Sequence, residues 1–169
     1  MSHTEDAEPI VTPRKMRTTL GNFGSGVTVV TAAGPDGPLG FTCQSFVSLS
    51  LDPPLVSFSP ARSSATWPKI RAVGRFCINV LAHDQRELSI RFARSGGAGV
   101  DKFDGLEYSA LADGAPLLDG VVAWVDAELY DEFDGGDHTI VVAAVRDLGT
   151  PADKQPLIYH RGDYLRTDI

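Results

Sequence analysis

GFTCQSFVSLSLDPPLVSFSP, residues 40–60, reads as two strands joined at a Pro-Pro corner. Side chains alternate along a strand, so Phe41, Cys43 and Ser45 share one face and Thr42, Gln44 and Phe46 the other. Neither face is simply apolar. Thr42, Gln44, Ser45, Ser48 and Ser50 set short hydroxyl and amide groups into a strand-like run. Such a run is either an amphipathic strand with one wet face, or a wall for a flat polar ligand held by main-chain groups and short side chains. Asp52-Pro53-Pro54 ends the first strand, because proline has no N–H to give a ladder and restricts the residue before it. Leu55 to Ser59 is then a short second strand.

The stretch that follows favours the ligand wall. Pro60-Ala61-Arg62-Ser63-Ser64-Ala65-Thr66-Trp67 places hydroxyls and a cation just ahead of an expected helix over Ala65 to Ala72. Free N–H groups at a helix start, with hydroxyls and a guanidinium beside them, favour a phosphate. Arg75 to Leu81 (RFCINVL) is a further strand. Asp84 to Ala93 is a second helix on which Leu88 and Phe92 share a face, as do Glu87 and Arg91. Ser95 to Val100 is a flexible loop by its glycines.

Upstream, Thr12-Pro13 supplies an N-cap and a proline at the first helical position, giving a helix over Pro13 to Leu20 with Met16 and Leu20 on one face. Gly21 to Gly26 leads into the β-branched strand Val27 to Ala32. The order helix, glycines, strand excludes a dinucleotide fingerprint or P-loop, which run strand, glycines, helix. Gly34-Pro35-Asp36-Gly37 is a turn that makes an antiparallel hairpin of Val27–Ala32 and Leu39–Leu51. Val121 to Glu132 and His138 to Leu148 form a second hairpin through Phe133–Asp137. Leu157 to Tyr164 supplies one last short strand. Six or seven strands joined mostly by hairpins, with two or three short helices and no βαβ series, point to a mainly β fold closed as an antiparallel barrel.

Composition narrows the function. With 169 residues, 15 basic and 22 acidic, the chain is one domain of net charge −7, which argues against general nucleic-acid binding. Cys43 and Cys77 lie in separate strands and make no disulfide framework, which fits a reducing cytoplasm. No run is apolar and long enough to span a membrane. Met1 to Val11 reads as a disordered tail, with the domain over residues 12–169. His83 and His160 lack partners at metal spacing, and no metal is expected.

The succession GFTCQSFVSLSLDPPLVSFSP, Ser64-Ala65-Thr66-Trp67, RFCINVL, Arg91-Phe92, Asp101-Lys102-Phe103, Gly136-Asp137-His138 and Tyr159 to Tyr164 closely resembles the short-chain flavin reductases. These NAD(P)H-dependent proteins supply reduced flavin to two-component monooxygenases. The resemblance runs from about Met16 to Arg166 and implies a split β-barrel of Greek-key, FMN-binding type, a homodimer, and a flavin groove near the subunit boundary. It implies FMN or FAD with NADH or NADPH, and a separate monooxygenase as partner. Carried over by position, Pro38, Leu39, Gly40, Phe41, Thr42, Gln44 and Ser45 line the isoalloxazine and ribityl, and Ser59, Pro60 and Ala61 continue the wall. Ser64, Ala65 and Thr66 match a phosphate loop with Arg62 nearby, and Arg91-Phe92 matches a cofactor-contacting pair. His138, the candidate catalytic residue, and Tyr164 match nicotinamide positions, His138 holding the nucleotide rather than acting as an obligatory acid.

The residues also carry plainer readings. Arg91 is placed to pair with Glu87 on a solvated helix and Phe92 to be core. Asp137-His138 has the composition of an ordinary turn. Cys43 reads as a small buried hydrophobe, and Lys102 as a surface lysine. A flavin-binding electron-transfer or sensor protein, or an oxidase of the pyridoxamine-phosphate type, would share such a barrel, since fold alone does not choose chemistry.

Overall fold

The computed structural model describes residues 10–95 and 101–165. The expected tail over Met1–Val11 and loop over Ser95–Val100 lie largely outside them. Helix α1 spans Pro13–Leu20, and Thr12 caps it as its side chain accepts the Lys15 N–H at 3.2 Å. No residue of α1 is buried. Met16 and Leu20 do share the apolar side, but that side faces out.

Seven strands form one sheet. β2 (Thr28–Gly34) and β3 (Gly37–Cys43) are the first hairpin; β4 (Val47–Leu51) and β5 (Pro54–Phe58) the second; β9 (Ala123–Gly135) and β10 (His138–Gly149) the third; and β6 (Arg75–Val80) joins them. The order is β3-β2-β6-β9-β10-β5-β4, every pairing antiparallel. The step from β5 to β6 crosses the barrel through helix α2 (Trp67–Val73), a Greek-key connection. The β9–β10 turn has Gly136 at φ 78°, a backbone that glycine adopts without strain.

Two expectations change here. Leu39–Leu51 is not one strand: residues 44–46 leave the ladder between β3 and β4. Nor is the ladder closed, because β3 and β4 are its two edges. No hydrogen-bonded turn reverses the chain over residues 44–46, and β4 pairs with β5 instead of folding back on β3. The sheet nevertheless rolls into a barrel. Phe41 of β3 and Phe58 of β5 come from opposite sides of the sheet, yet their ring centroids are 6.4 Å apart. Trp67, from α2, meets Phe58 edge-on at 5.3 Å and Phe76 of β6 at 5.9 Å, plugging the interior with aromatic surface.

A second core lies outside the barrel, where Val27, Val29, Leu81 and Leu157 pack with Phe92 of helix α3 (Arg86–Ala93) and with Phe103. It is covered by a small hairpin of β7 (Tyr108–Ala110) and β8 (Pro116–Leu118) that has no clear mark in the sequence. Buried Asn79 fixes it: its Oδ1 accepts the Leu118 N–H at 2.9 Å, and its Nδ2 donates to Thr31 Oγ1 at 3.0 Å. The expected single strand over Leu157–Tyr164 is a hairpin, β11 (Ile158–His160) and β12 (Asp163–Tyr164), turning at Arg161 and Gly162 with φ 51° and 86°. β11 also pairs with β1 (Ser25–Gly26).

Candidate active site

A cleft of about 530 Å³ opens at the split between β3 and β4. Its floor is the end of β3 and the three residues that follow. Phe41 contributes a ring, and the Thr42 hydroxyl is spent inside the protein, donating to the Ser89 carbonyl of α3 at 2.7 Å. Cys43 is buried, and that burial pushes its thiol pKa up, so the reading as a small hydrophobe holds. Gln44 is exposed on the rim. Ser45 spans the split: its Oγ accepts the Ser59 N–H at 2.7 Å and lies 3.3 Å from the Ser59 carbonyl as donor.

One wall is the chain after β5. Ser59, Pro60 and Ala61 line the cleft and are stitched to the hairpin tip of β9–β10. Thr139 N–H donates to the Pro60 carbonyl at 3.0 Å and Arg62 N–H to the Asp137 carbonyl at 2.9 Å. These bonds set His138 beside Ala61 on the cleft wall. Its Nδ1 is 2.7 Å from Asp137 Oδ1, and this hydrogen bond holds the Asp137 carboxyl below the usual range. A carboxylate at Nδ1 makes that nitrogen the donor and leaves Nε2 for a ligand.

The stretch expected to hold a phosphate differs from its expectation. Ser64 Oγ already accepts the N–H groups of Trp67 at 3.1 Å and Thr66 at 3.3 Å, so the helix start is capped from within. The helix itself begins two residues after the expected Ala65. Among the described residues, the N–H groups of Ser63 and Ala65 and the Thr66 hydroxyl have no acceptor or donor partner, and all three residues line the cleft. They are unpaired donors on residues that line the cleft.

The other wall is the end of α3. Phe92, Ala93, Arg94 and Ser95 line it, with Lys102 behind. Lys102 is not a surface lysine. It is only 8 % exposed, and its Nζ donates to the carbonyls of Phe92 at 3.0 Å and Gly40 at 3.3 Å. Burial pushes its pKa down.

The remaining expected residues stand elsewhere. Pro38 and Leu39 line a separate depression against α2. Gly40 faces Phe92 and Phe103, and only its carbonyl reaches Lys102. The Arg62 guanidinium turns away to the Gly136 carbonyl at 2.8 Å and to Asp134 at 3.0 Å. Arg91 bonds the Asp104 carbonyl at 2.9 Å in place of the expected Glu87, and Tyr164 bonds Ser89 Oγ at 2.8 Å. None of these six residues lines the cleft. Among the described residues no cluster of three or more metal-ligating side chains exists, and no helix is long and apolar enough to cross a membrane.

The cleft therefore combines flat apolar surface, loose donors on one wall and a buried cation on the other, which suits a flat, anionic aromatic ligand. Comparison with known proteins agrees. A family model described as flavin reductase like domain matches residues 20–168. The reductase subunit HsaB of a flavin-dependent monooxygenase from Mycobacterium tuberculosis is 45% identical over 156 residues, covering 91% of this chain and 82% of that protein. The FMN reductase (NADH) SmoA from Agrobacterium fabrum is 43% identical, covering 90% and 85%. The solved structure of the Streptomyces globisporus NADH:FAD oxidoreductase SgcE6 in complex with NAD and FAD fragments superposes with a TM-score of 0.84 at 31% identity, covering 94% and 96%.

Proposed function

The chain belongs to the flavin reductase-like domain family, and from that premise we propose that it passes hydride from NADH or NADPH to FMN or FAD and supplies the reduced flavin to a separate monooxygenase. Flavin supplies the electron-accepting ring, so the protein needs no triad of its own. The observation that carries the reading is the cleft at the barrel split, with unpaired donors of the Ser63–Thr66 loop and the His138 imidazole on one continuous wall.

The residues divide the work by position. Ser63, Ala65 and Thr66 hold the phosphate, while Phe41, Gln44, Ser45, Ser59 and Pro60 confine the ring and ribityl. His138, oriented by Asp137, holds the nicotinamide nucleotide so that the two rings meet within reacting distance, which removes much of the entropic barrier. A flavin-binding carrier or sensor would need no such second seat, and the relatives compared above are named as reductases.

The working form is a homodimer in the cytoplasm. The dimer reading is supported by the unburied apolar side of α1, Met16 and Leu20, beside Phe23, which is 83% exposed. The testing experiment is steady-state oxidation of NADH and NADPH against FMN, FAD and riboflavin. Nicotinamide oxidation that depends on added flavin is the expected result, and flavin binding without nicotinamide oxidation would return the carrier reading.

A further inference from the structure

Lys102 is a cation stored in the wall of the cleft without a counter-charge. An ammonium has three N–H donors, and the carbonyls of Phe92 and Gly40 take two of them. Among the described residues no ion pair includes it. A buried charge facing only neutral dipoles is costly, and a fold keeps it where an anion arrives to meet it.

Two anionic features of the ligand are available. The phosphate has its own unpaired donors on the wall after β5, at Ser63, Ala65 and Thr66. Lys102 is held from the other wall, between β3 and the end of α3, next to the Phe41, Thr42 and Phe92 surface. Resting on the flavin reading above, we propose that the third Lys102 N–H meets the N1–C2=O edge of the ring and makes the site bind reduced flavin, as its anion, in preference to oxidised flavin.

The chemistry balances without a further reactant. The nicotinamide C4–H bond breaks and an N5–H bond forms. The transferred pair leaves one negative charge on the N1–C2=O edge, with no proton needed from the protein. A preorganised cation there stabilises charge that is absent before transfer. The other titratable or charged groups facing this region are Arg94 from the end of α3, Cys43 from β3 and His138 across the cleft. None is anionic at neutral pH. Burial keeps the Cys43 thiol protonated there.

The test compares affinities for oxidised and anaerobically reduced FMN in the parent, Lys102→Gln and Lys102→Met, with thermal melts to confirm folding. The expected result is a loss of preference for reduced over oxidised FMN of about tenfold to a hundredfold, equivalent to a fall of roughly 30 to 60 mV in the bound potential. An unchanged ratio overturns the proposal while leaving the flavin site intact. A loss for FMN but not riboflavin, equal in both redox states, also overturns it and moves Lys102 to the phosphate. A parent that binds neither form defeats the flavin reading itself. Should both variants unfold, the parent still decides: with N1-labelled reduced FMN followed by NMR, the bound ring stays anionic through the pH range where free reduced flavin takes up that proton. Protonation at the free-flavin pH overturns the proposal.

Discussion

The Cβ that Gly40 lacks would stand 2.6 Å from Cε1 of Phe92. The glycine in β3 is thus required by the packing of α3 on the barrel, and only through that packing by the cleft. Phe92 is fully buried and edge-on to Phe103 at 5.0 Å, so its ring has nowhere to retreat. Gly40→Ala is expected to destabilise the protein by about 1–3 kcal/mol, the usual range for overpacking. It should also loosen flavin binding by displacing Phe92 and the Lys102 carbonyl acceptor together. Urea denaturation and flavin titration on the same sample check it; a variant as stable as the parent would show that Phe92 moves freely.

Ser64 and Thr66 separate a structural hydroxyl from a ligand-facing one. Ser64→Ala removes the acceptor for the Trp67 and Thr66 N–H groups and should cost about 0.5–1.5 kcal/mol of stability. Thr66→Ala should leave stability nearly unchanged and weaken FMN by about 1.5–3 kcal/mol while sparing riboflavin. Equal weakening of both flavins by Thr66→Ala would remove it from the phosphate site.

His138→Ala is expected to raise the KM for NADH, or slow reduction, by about tenfold to a hundredfold, with the flavin Kd nearly unchanged. Asp137→Asn should act in the same direction but more weakly, since the imidazole stays and only its orientation is released. Stopped-flow reduction and fluorescence titration measure the two quantities separately. Weakened flavin binding with an unaltered NADH dependence would reduce the Gly-Asp-His segment to a plain turn.

Asp126 carries the clearest pH signature. Burial first, then the neighbouring Asp113 carboxylate, raises its pKa, and one oxygen of each carboxyl is buried without a partner. A raised carboxyl pKa means that the fold prefers the protonated form. Its contribution is therefore full below the unfolded value of about 3.9 and is lost as pH rises through the folded-state pKa. Asp126→Asn should raise the Tm at neutral pH, with the gain shrinking to nothing as the medium is acidified. A gain independent of pH would assign the effect to packing instead.

The proposed dimer is checked by light scattering at micromolar concentration, where twice the 18.1 kDa chain mass is expected. Leu20→Glu together with Phe23→Glu places charges on the exposed apolar surface at the end of α1 and just after it, and should shift the mass toward one chain. A fully active monomer in the parent would discard the arrangement.

What the sequence disclosed follows the range of the forces involved. Thr12-Pro13 marks α1 because a cap acts over three residues, and the Gly135-Gly136 pair marks the β9–β10 turn because a backbone angle is local. The break between β3 and β4 was hidden because Ser45 meets Ser59, 14 residues on. Asn79 anchors β8 at a separation of 39 residues, so the short hairpin needs no apolar pattern of its own and leaves no local mark. The Asp101-Lys102-Phe103 run has surface composition, yet Lys102 is buried by carbonyls 10 and 62 residues away. Arg62 has the right charge for a phosphate loop, and its Nε is claimed by the Gly136 carbonyl 74 residues on.

That last claim gives the molecule a shared rail. Three hydrogen bonds, from Arg62 N–H, Arg62 Nε and Thr139 N–H, fasten Pro60 and Arg62, just ahead of the Ser63–Thr66 loop, to the hairpin tip that bears His138. With flavin and nicotinamide seated as proposed, a shift of one seat is expected to be felt at the other. On that proposal, reciprocity requires that whatever nicotinamide binding does to flavin affinity, flavin binding does to nicotinamide affinity by the same free energy. For a reductase that hands its product to another enzyme, as proposed, grip and release would then share one strip of backbone.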